Sequence, residues 1–141
     1  MIKIQENDFN IEDEINQIVL QNLNVGAVST FVGYVRNLNN QKKIMSINIE
    51  VYKDMAYKSL KDICSKAQER WNIVDTLVIH RFGKLDIGEK IVLVATFSIH
   101  RKEGFDACNF IMDYLKQEAP FWKKEFYNNK YKWLKNTSLK N

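Results

Sequence analysis

Residues 76–100 read "TLVIHRFGKLDIGEKIVLVATFSIH". Two runs rich in β-branched and aromatic residues, "TLVIHRFG" and "KIVLVATFSIH", flank a "KLDIGE" turn, the pattern of an antiparallel strand pair. Both runs are apolar at successive positions, as expected where a sheet is covered on both faces.

Reading outward, "DMAYKSLKDICSKAQERW" before this pair is an amphipathic helix on Leu60, Ile63 and Ala67. "SINIEVY" alternates, with Ile47, Ile49 and Val51 on one face. "GAVSTFVGYVRN" reads as a strand and "NLNNQKK" as a polar loop. "MIKIQ" reads as a short strand. "FNIEDEINQIVLQNLN" places Ile11, Ile15, Ile18 and Val19 at helical spacing, with Asn10 as N-cap and Asp13 three residues on. A third helix runs from about Lys102 to Ala119, and "YKWLK" reads as a last strand. The order β-α-β-β-α-β-β-α-β predicts an α+β fold, a mostly antiparallel sheet packed by helices, with a ferredoxin-like split β-α-β core. The 141 residues fit a single domain, 1–141.

The third helix ends in "IMDYLKQEAPFWKKE", Ile111 to Glu125, which holds the only proline. With Phe105 as the origin of a wheel at about 100° per residue, Met112, Ala119, Cys108, Leu115 and Ile111 fall between about −20° and −120°, one apolar face. Lys116, at about +20°, sits on its margin, where its stem packs and its ammonium reaches a cleft. Spacing alone favours snorkelling, with the head kept in water; partial desolvation is the sharper alternative, and it would favour the neutral amine, a base or nucleophile. Pro120 turns the chain, Phe121 and Trp122 anchor the turn by burial, and Lys123 and Lys124 project near the same helix end. Phe110 and Tyr114 fall at about 140° and 180°, opposite the apolar face, and read as a contact surface.

Net charge is +4. Seven lysines and two glutamates lie between 116 and 141, a surplus of five that leaves the rest at −1. A basic end after a near-neutral body suits an anionic partner or substrate. Arg36 closes a strand beside the polar loop. His100 and Arg101 stand where a strand gives way to a helix, whose N–H groups and a guanidinium suit a phosphate; pairing of Arg101 with Glu103 is the bland alternative. His80 and Arg81 read as ordinary strand. Cys64 and Cys108 form no CxxC, so buried free thiols are expected and no metal site. The acidic start is unlike a signal peptide, and no apolar run approaches a membrane span, so a cytoplasmic protein with no membrane association is expected.

Taken together, "GAVSTFVGYVRN", "VIHRFGKLDIGE", "SIHRKEGFDACNFIMDYLKQEAPFWKKE" and the closing "KW" resemble the catalytic (large) subunit family of molybdopterin synthase, from about Gly26 to Trp133. The resemblance implies an α/β hammerhead containing a ferredoxin-like part. It implies a sulfurtransferase of molybdenum cofactor biosynthesis that needs no cofactor of its own. Two sulfurs pass from the C-terminal Gly-Gly thiocarboxylate of a small ubiquitin-like carrier subunit to cyclic pyranopterin monophosphate, forming the dithiolene of molybdopterin. It implies a homodimer with one carrier at each end, a heterotetramer. Lys116 matches the family's essential lysine, as base, acid or covalent amine, and Lys123 matches its second active-site lysine, assisting electrostatically. Arg36, His100 and Arg101 match substrate-binding positions, with Tyr34, Val35, Lys124 and Glu125 beside them. "VYKDM", Val51 to Met55, departs from the His-Tyr-Pro-Gly-like stretch of many relatives.

Two other readings compete. Phe121, Trp122, Phe126, Tyr127, Tyr131 and Trp133 interleave with the lysines, a pattern that also fits a single-stranded nucleic-acid-binding module. A non-catalytic adaptor would dock a ubiquitin-like partner without turnover.

Overall fold

A computed structural model describes residues 1–39, 42–127 and 130–134. In chain order the elements are β1 (Ile2–Gln5), α1 (Ile11–Gln21), β2 (Ala27–Tyr34), β3 (Leu38–Asn39), β4 (Lys42–Lys43), β5 (Ser46–Val51), α2 (Lys53–Arg70), β6 (Ile73–Arg81), β7 (Gly83–Asp86), β8 (Lys90–Ser98), α3 (Arg101–Gln117), β9 (Phe121–Tyr127) and β10 (Lys130–Trp133). The fold is α+β and mostly antiparallel, as the strand pairs and helices in the sequence imply.

The strands divide into two four-stranded sheets and a small hairpin. The first sheet has the order β1-β6-β8-β2, the second β10-β9-β5-β7, and β3 pairs with β4. Only β1 with β6 runs parallel. In the first sheet Leu77, Ile79, Leu93, Ala95 and Phe97 pack under Phe9 and Ile18 of the α1 side. Val78, Val92 and Val94 face the other way, against Leu60, Ile63 and Ala67 of α2 and Ala107, Cys108 and Ile111 of α3. Both faces are therefore covered within one chain, which accounts for the apolar runs in β6 and β8 without a second copy. The second sheet adds Ile47, Ile49, Leu85 and Phe121 to the helix-side core.

Asn10 caps α1 as its sequence implies, its Oδ1 accepting from the Asp13 amide at 3.0 Å. Three loop readings are corrected. "NLNNQKK" carries a hairpin, Leu38 facing Lys43 and Asn39 facing Lys42, with 40–41 outside the described residues. "KLDIGE" is a turn only at Asp86–Glu89. Its first half is β7, paired with β5 from Ser46↔Asp86 to Ile49↔Gly83. Gly88 takes φ +85 in that turn, and the Glu89 amide closes it on the Asp86 carbonyl at 3.1 Å. A β-turn of this kind needs positive φ at its third residue. Third, the segment after Pro120 is a seven-residue strand, β9, lodged between β5 and β10. Its mixed apolar and charged sequence hid the ladder, whose backbone bonds come on one side from β5, about 70 or more residues away in sequence, and on the other from the neighbouring β10.

The buried face of the third helix is rotated from the wheel's: Cys108 and Ile111 are buried as the spacing predicts, but the origin residue is not. Phe105 is 61% exposed. The buried stripe is Gly104, Ala107, Cys108 and Ile111. Phe110 and Tyr114 are half-buried against the α2 side, Phe110 edge-on to Trp71 at 5.2 Å. They are intramolecular packing, so the contact-surface reading fails.

Candidate active site

Three cations meet at one end of the first sheet. Arg36 follows β2, and its position is set through Val35. The Val35 amide donates to the Glu89 carbonyl and its carbonyl accepts from the Gly88 amide, both at 2.9 Å. Val35 is thus buried backbone support, while Tyr34 and Arg36 are exposed. Lys116 stands in the last turn of α3, where a cation complements the helix dipole. About 140° of helix rotation separates it from the buried Ile111, and its side chain is exposed.

Lys123 lies on β9 opposite Ile49 of β5 and is the half-buried member of the group. Burial depresses its pKa first, and the nearby charges of Lys116 and Arg36 depress it further, against an opposing pull from Glu125. The exposed Lys116 fits the snorkelling that its spacing favours, and the desolvated amine is Lys123. The wheel could not show this, because the covering groups come from other elements.

Strand alternation sorts the remaining residues. Phe121, Lys123, Glu125 and Tyr127 share one face of β9, and Trp122, Lys124 and Phe126 the other. Lys124 is therefore separated from Lys123. Its ammonium lies over the Tyr131 and Trp133 rings at 4.6 and 4.5 Å. Trp122 is 44% exposed and edge-on to Tyr52, so it does not anchor the turn by burial; Phe121 does.

Glu125 is buried, 4% exposed, and accepts from Asn39 Nδ2 at 3.0 and 2.9 Å. The Tyr127 hydroxyl also donates to it. That bond pushes the Tyr127 phenol up to about 12, with burial adding. A side chain so held is fixed in place on the strand face that it shares with Lys123. The sequence offered no signal for the Asn39 contact, which spans 86 positions.

His100 and Arg101 are exposed at the start of α3. Arg101 makes no ion pair among the described residues, and Glu103 Oε2 is buried without a hydrogen-bond partner. The bland pairing of Arg101 with Glu103 is absent. Fifteen residues of helix, about 22 Å, separate Arg101 from Lys116. Arg36 is just as remote, because the β2 end lies at Lys90 and the β8 end at Ala27. The chain brings Arg36, Lys116, Lys123 and Glu125 together. His100 and Arg101 stand apart from them.

His80 is the residue the sequence reading passed over. It is buried at the end of β6, its ring stacked on Phe121 at 3.7 Å and 16°. Arg81 is structural as read. It is buried, donating to the Glu6 and Lys90 carbonyls at 3.0 Å each and to Glu89 at 3.2 Å. Cys64 and Cys108 are free and buried, and burial pushes the Cys108 thiol up to about 11. Among the described residues no helix is long and apolar enough to cross a membrane.

An α+β domain with a lysine pair and an arginine gathered at the end of one sheet is built to receive an anion and to hold one amine out of water. Residues 4–118 match the family described as MoaE protein. The molybdopterin synthase catalytic subunit of Ralstonia nicotianae is 48% identical over 124 residues, covering 88% of this chain and 70% of that one. A crystal structure of molybdopterin synthase from Staphylococcus aureus superposes with TM-score 0.88 at 32% identity, covering 94% of this chain and 96% of that one. A complex of subunits 1 and 2 of molybdopterin-converting factor from Helicobacter pylori shares the fold, with TM-score 0.80 at 23% identity over 95% of this chain and 90% of that one. The chain belongs to the MoaE family, the catalytic subunits of molybdopterin synthase, and is an enzyme of molybdenum cofactor biosynthesis. Nothing in these likenesses supports the nucleic-acid reading.

Proposed function

We propose that the cleft between α3 and β9 is where a small ubiquitin-like carrier presents its C-terminal thiocarboxylate to cyclic pyranopterin monophosphate. The exposed Lys116 meets the carrier's acyl end and offsets its negative charge. Lys123, whose amine is the desolvated one, acts as the base. The carrier sulfur attacks a side-chain carbon of the pterin as that carbon's bond to a phosphate-ester oxygen breaks, so that the cyclic phosphate opens, its oxygen takes the electron pair, and an acyl thioester is left. Water attacks the acyl carbon as Lys123 takes its proton, the acyl C–S bond breaks, and the carrier leaves as a carboxylate. Arg36 stabilises the developing oxyanion or the substrate phosphate. The observation that carries this reading is the gathering of Lys116, Arg36 and Glu125 around the depressed Lys123.

His100 and Arg101 fit as phosphate ligands from a second copy. The strand after α3 joins the second sheet, so no described strand covers the outer edge of β2. Antiparallel pairing of that edge with its symmetry mate carries Arg36 of one chain toward Gly26 of the other. The Gly26 amide bonds the Ser98 carbonyl at 2.9 Å, two residues before His100. A homodimer with a carrier at each end, in the cytoplasm, completes the reading. Lys124 then serves the outer aromatic face and Tyr34 the rim of the cleft.

Single turnover with thiocarboxylated carrier tests the chemistry. Lys116→Ala and Lys123→Ala should each lose on the order of 10²–10⁴-fold in rate, with carrier binding within a few fold. Near-normal turnover of either variant rules out its role.

A further inference from the structure

His80 is a buried titratable group that this mechanism does not use. On β6, Leu77 and Ile79 point to the α1 side, while Val78 and then His80 point to the helix-covered side. The imidazole is 5% exposed. Its Nδ1–H donates to the Arg81 carbonyl at 2.8 Å, which leaves the lone pair on Nε2. Burial pushes its pKa down to about 3, with the Lys123 charge adding and the Arg81 bond opposing. At neutral pH the ring is uncharged.

Its flat face lies against Phe121, the first residue of β9. That residue also closes the helix-to-strand turn, its amide donating to the Ala119 carbonyl at 2.8 Å. Six residues lie between Lys116 and Lys123, and Phe121 is the buried aromatic among them. Lys123 shares a strand face with Phe121. The charged groups around Lys123 are Lys116 from α3, Arg36 after β2 and Glu125 from its own strand, two cations and one carboxylate. A charged or hydrated neighbour at His80 would change that balance; an uncharged ring does not.

We propose that His80 is a positioning residue of the lysine cleft: its uncharged ring, stacked on Phe121, closes the protein side of the cleft and keeps the Lys123 amine dry. Two tasks separate chemically. The ring excludes water, and the Nδ1–H bonds the Arg81 carbonyl at the strand end. Phenylalanine can do only the first, and alanine neither. The inference rests on Lys123 acting as the base, so its test has a readout independent of turnover.

Acetylation of Lys123 by a small anhydride is followed by mass spectrometry against pH in the full-length protein, with Lys132 as exposed reference. In His80→Ala the Lys123 midpoint should rise by about one pH unit as water enters. In His80→Phe it should stay in place while thermal stability falls. The acid limb of kcat should follow the acetylation midpoint in each variant, with KM for the carrier little changed. A midpoint in His80→Ala equal to wild type overturns the proposal, and so does a raised midpoint in His80→Phe. If His80→Ala does not fold, His80→Phe decides alone. Normal turnover of Lys123→Ala would instead remove the base role while the midpoints still report on His80.

Discussion

His80 takes up a proton far more readily in the unfolded chain than in the folded one. The ordinary imidazole pKa is 6.5, and burial brings it to about 3 here. As pH falls through 6.5 the unfolded chain binds a proton that the native state refuses. The contribution to stability is therefore complete above 6.5 and drains toward pH 3, at up to about 1.4 kcal/mol per pH unit. Urea unfolding between pH 7 and 4 should show this loss in wild type and a shallower one in His80→Phe. Parallel curves would mean that the ring is protonated in the native state. The same desolvation argument separates the two lysines proposed for catalysis. Lys116 ends a helix facing solvent, whereas Lys123 sits on a strand with neighbours from three other elements. Proximity to an apolar stripe on one helix is a weaker cause of desolvation than enclosure.

At the scale of an element, α3 spans the two proposed half-sites, because it carries Arg101 at one end and Lys116 at the other. Its seat on the sheet depends on Gly104. A Cβ there would meet Ser29 Oγ at 2.7 Å and Ser98 Oγ at 2.8 Å. The Thr96 hydroxyl also donates to the Gly104 carbonyl at 2.6 Å, tying the helix to β8. Glycine inside a helix ordinarily costs about 1 kcal/mol relative to alanine. Here the close approach reverses the sign, and Gly104→Ala should destabilise by about 1–3 kcal/mol through overpacking. Denaturant unfolding measures it; a stabilised variant would show that the serines move aside freely. A tilt of α3 would displace Lys116 more than its own stability loss suggests, because the helix is about 25 Å long.

The whole molecule is two sheets sharing one helix-covered core, with its cation cluster at one end and its second anion-binding candidate at the other. One chain cannot bring them onto one phosphate. A dimer that shares its sites makes a sharp prediction. Arg36→Ala and Arg101→Ala should each be nearly inactive, and a mixture after subunit exchange should recover about a quarter of wild-type activity. Half of the dimers are then mixed, and each has one of two sites intact. Light scattering should give twice the 16.7 kDa chain mass for each variant. No recovery in the mixture, or a monomer that turns over substrate, would sink the shared site. Arg36 also bears on salt. A basic cleft that receives an anionic tail should lose carrier on-rate as ionic strength rises.

Much of the fold was legible locally. Asn10 capped α1, the Ile47/Ile49 alternation set β5, and the doubly apolar β6 and β8 announced a sheet covered on both sides. The quoted "KQEAPFWKK" run carried the family, and with it Lys116, Lys123 and Arg36 as a group. These features repeat with the period of one helix or strand, so neighbouring residues suffice to show them. What needed the tertiary structure was decided by partners remote in the chain. β9 is a strand because β5 and β10 supply its hydrogen bonds, which separates Lys123 from Lys124 onto opposite faces. Phe110 and Tyr114 are covered because α2 lies there. Lys123 rather than Lys116 is the dry amine, and His80 lies beneath it, because burial and charge act through space and β6, β9, α3 and the end of β2 converge only when the chain is folded.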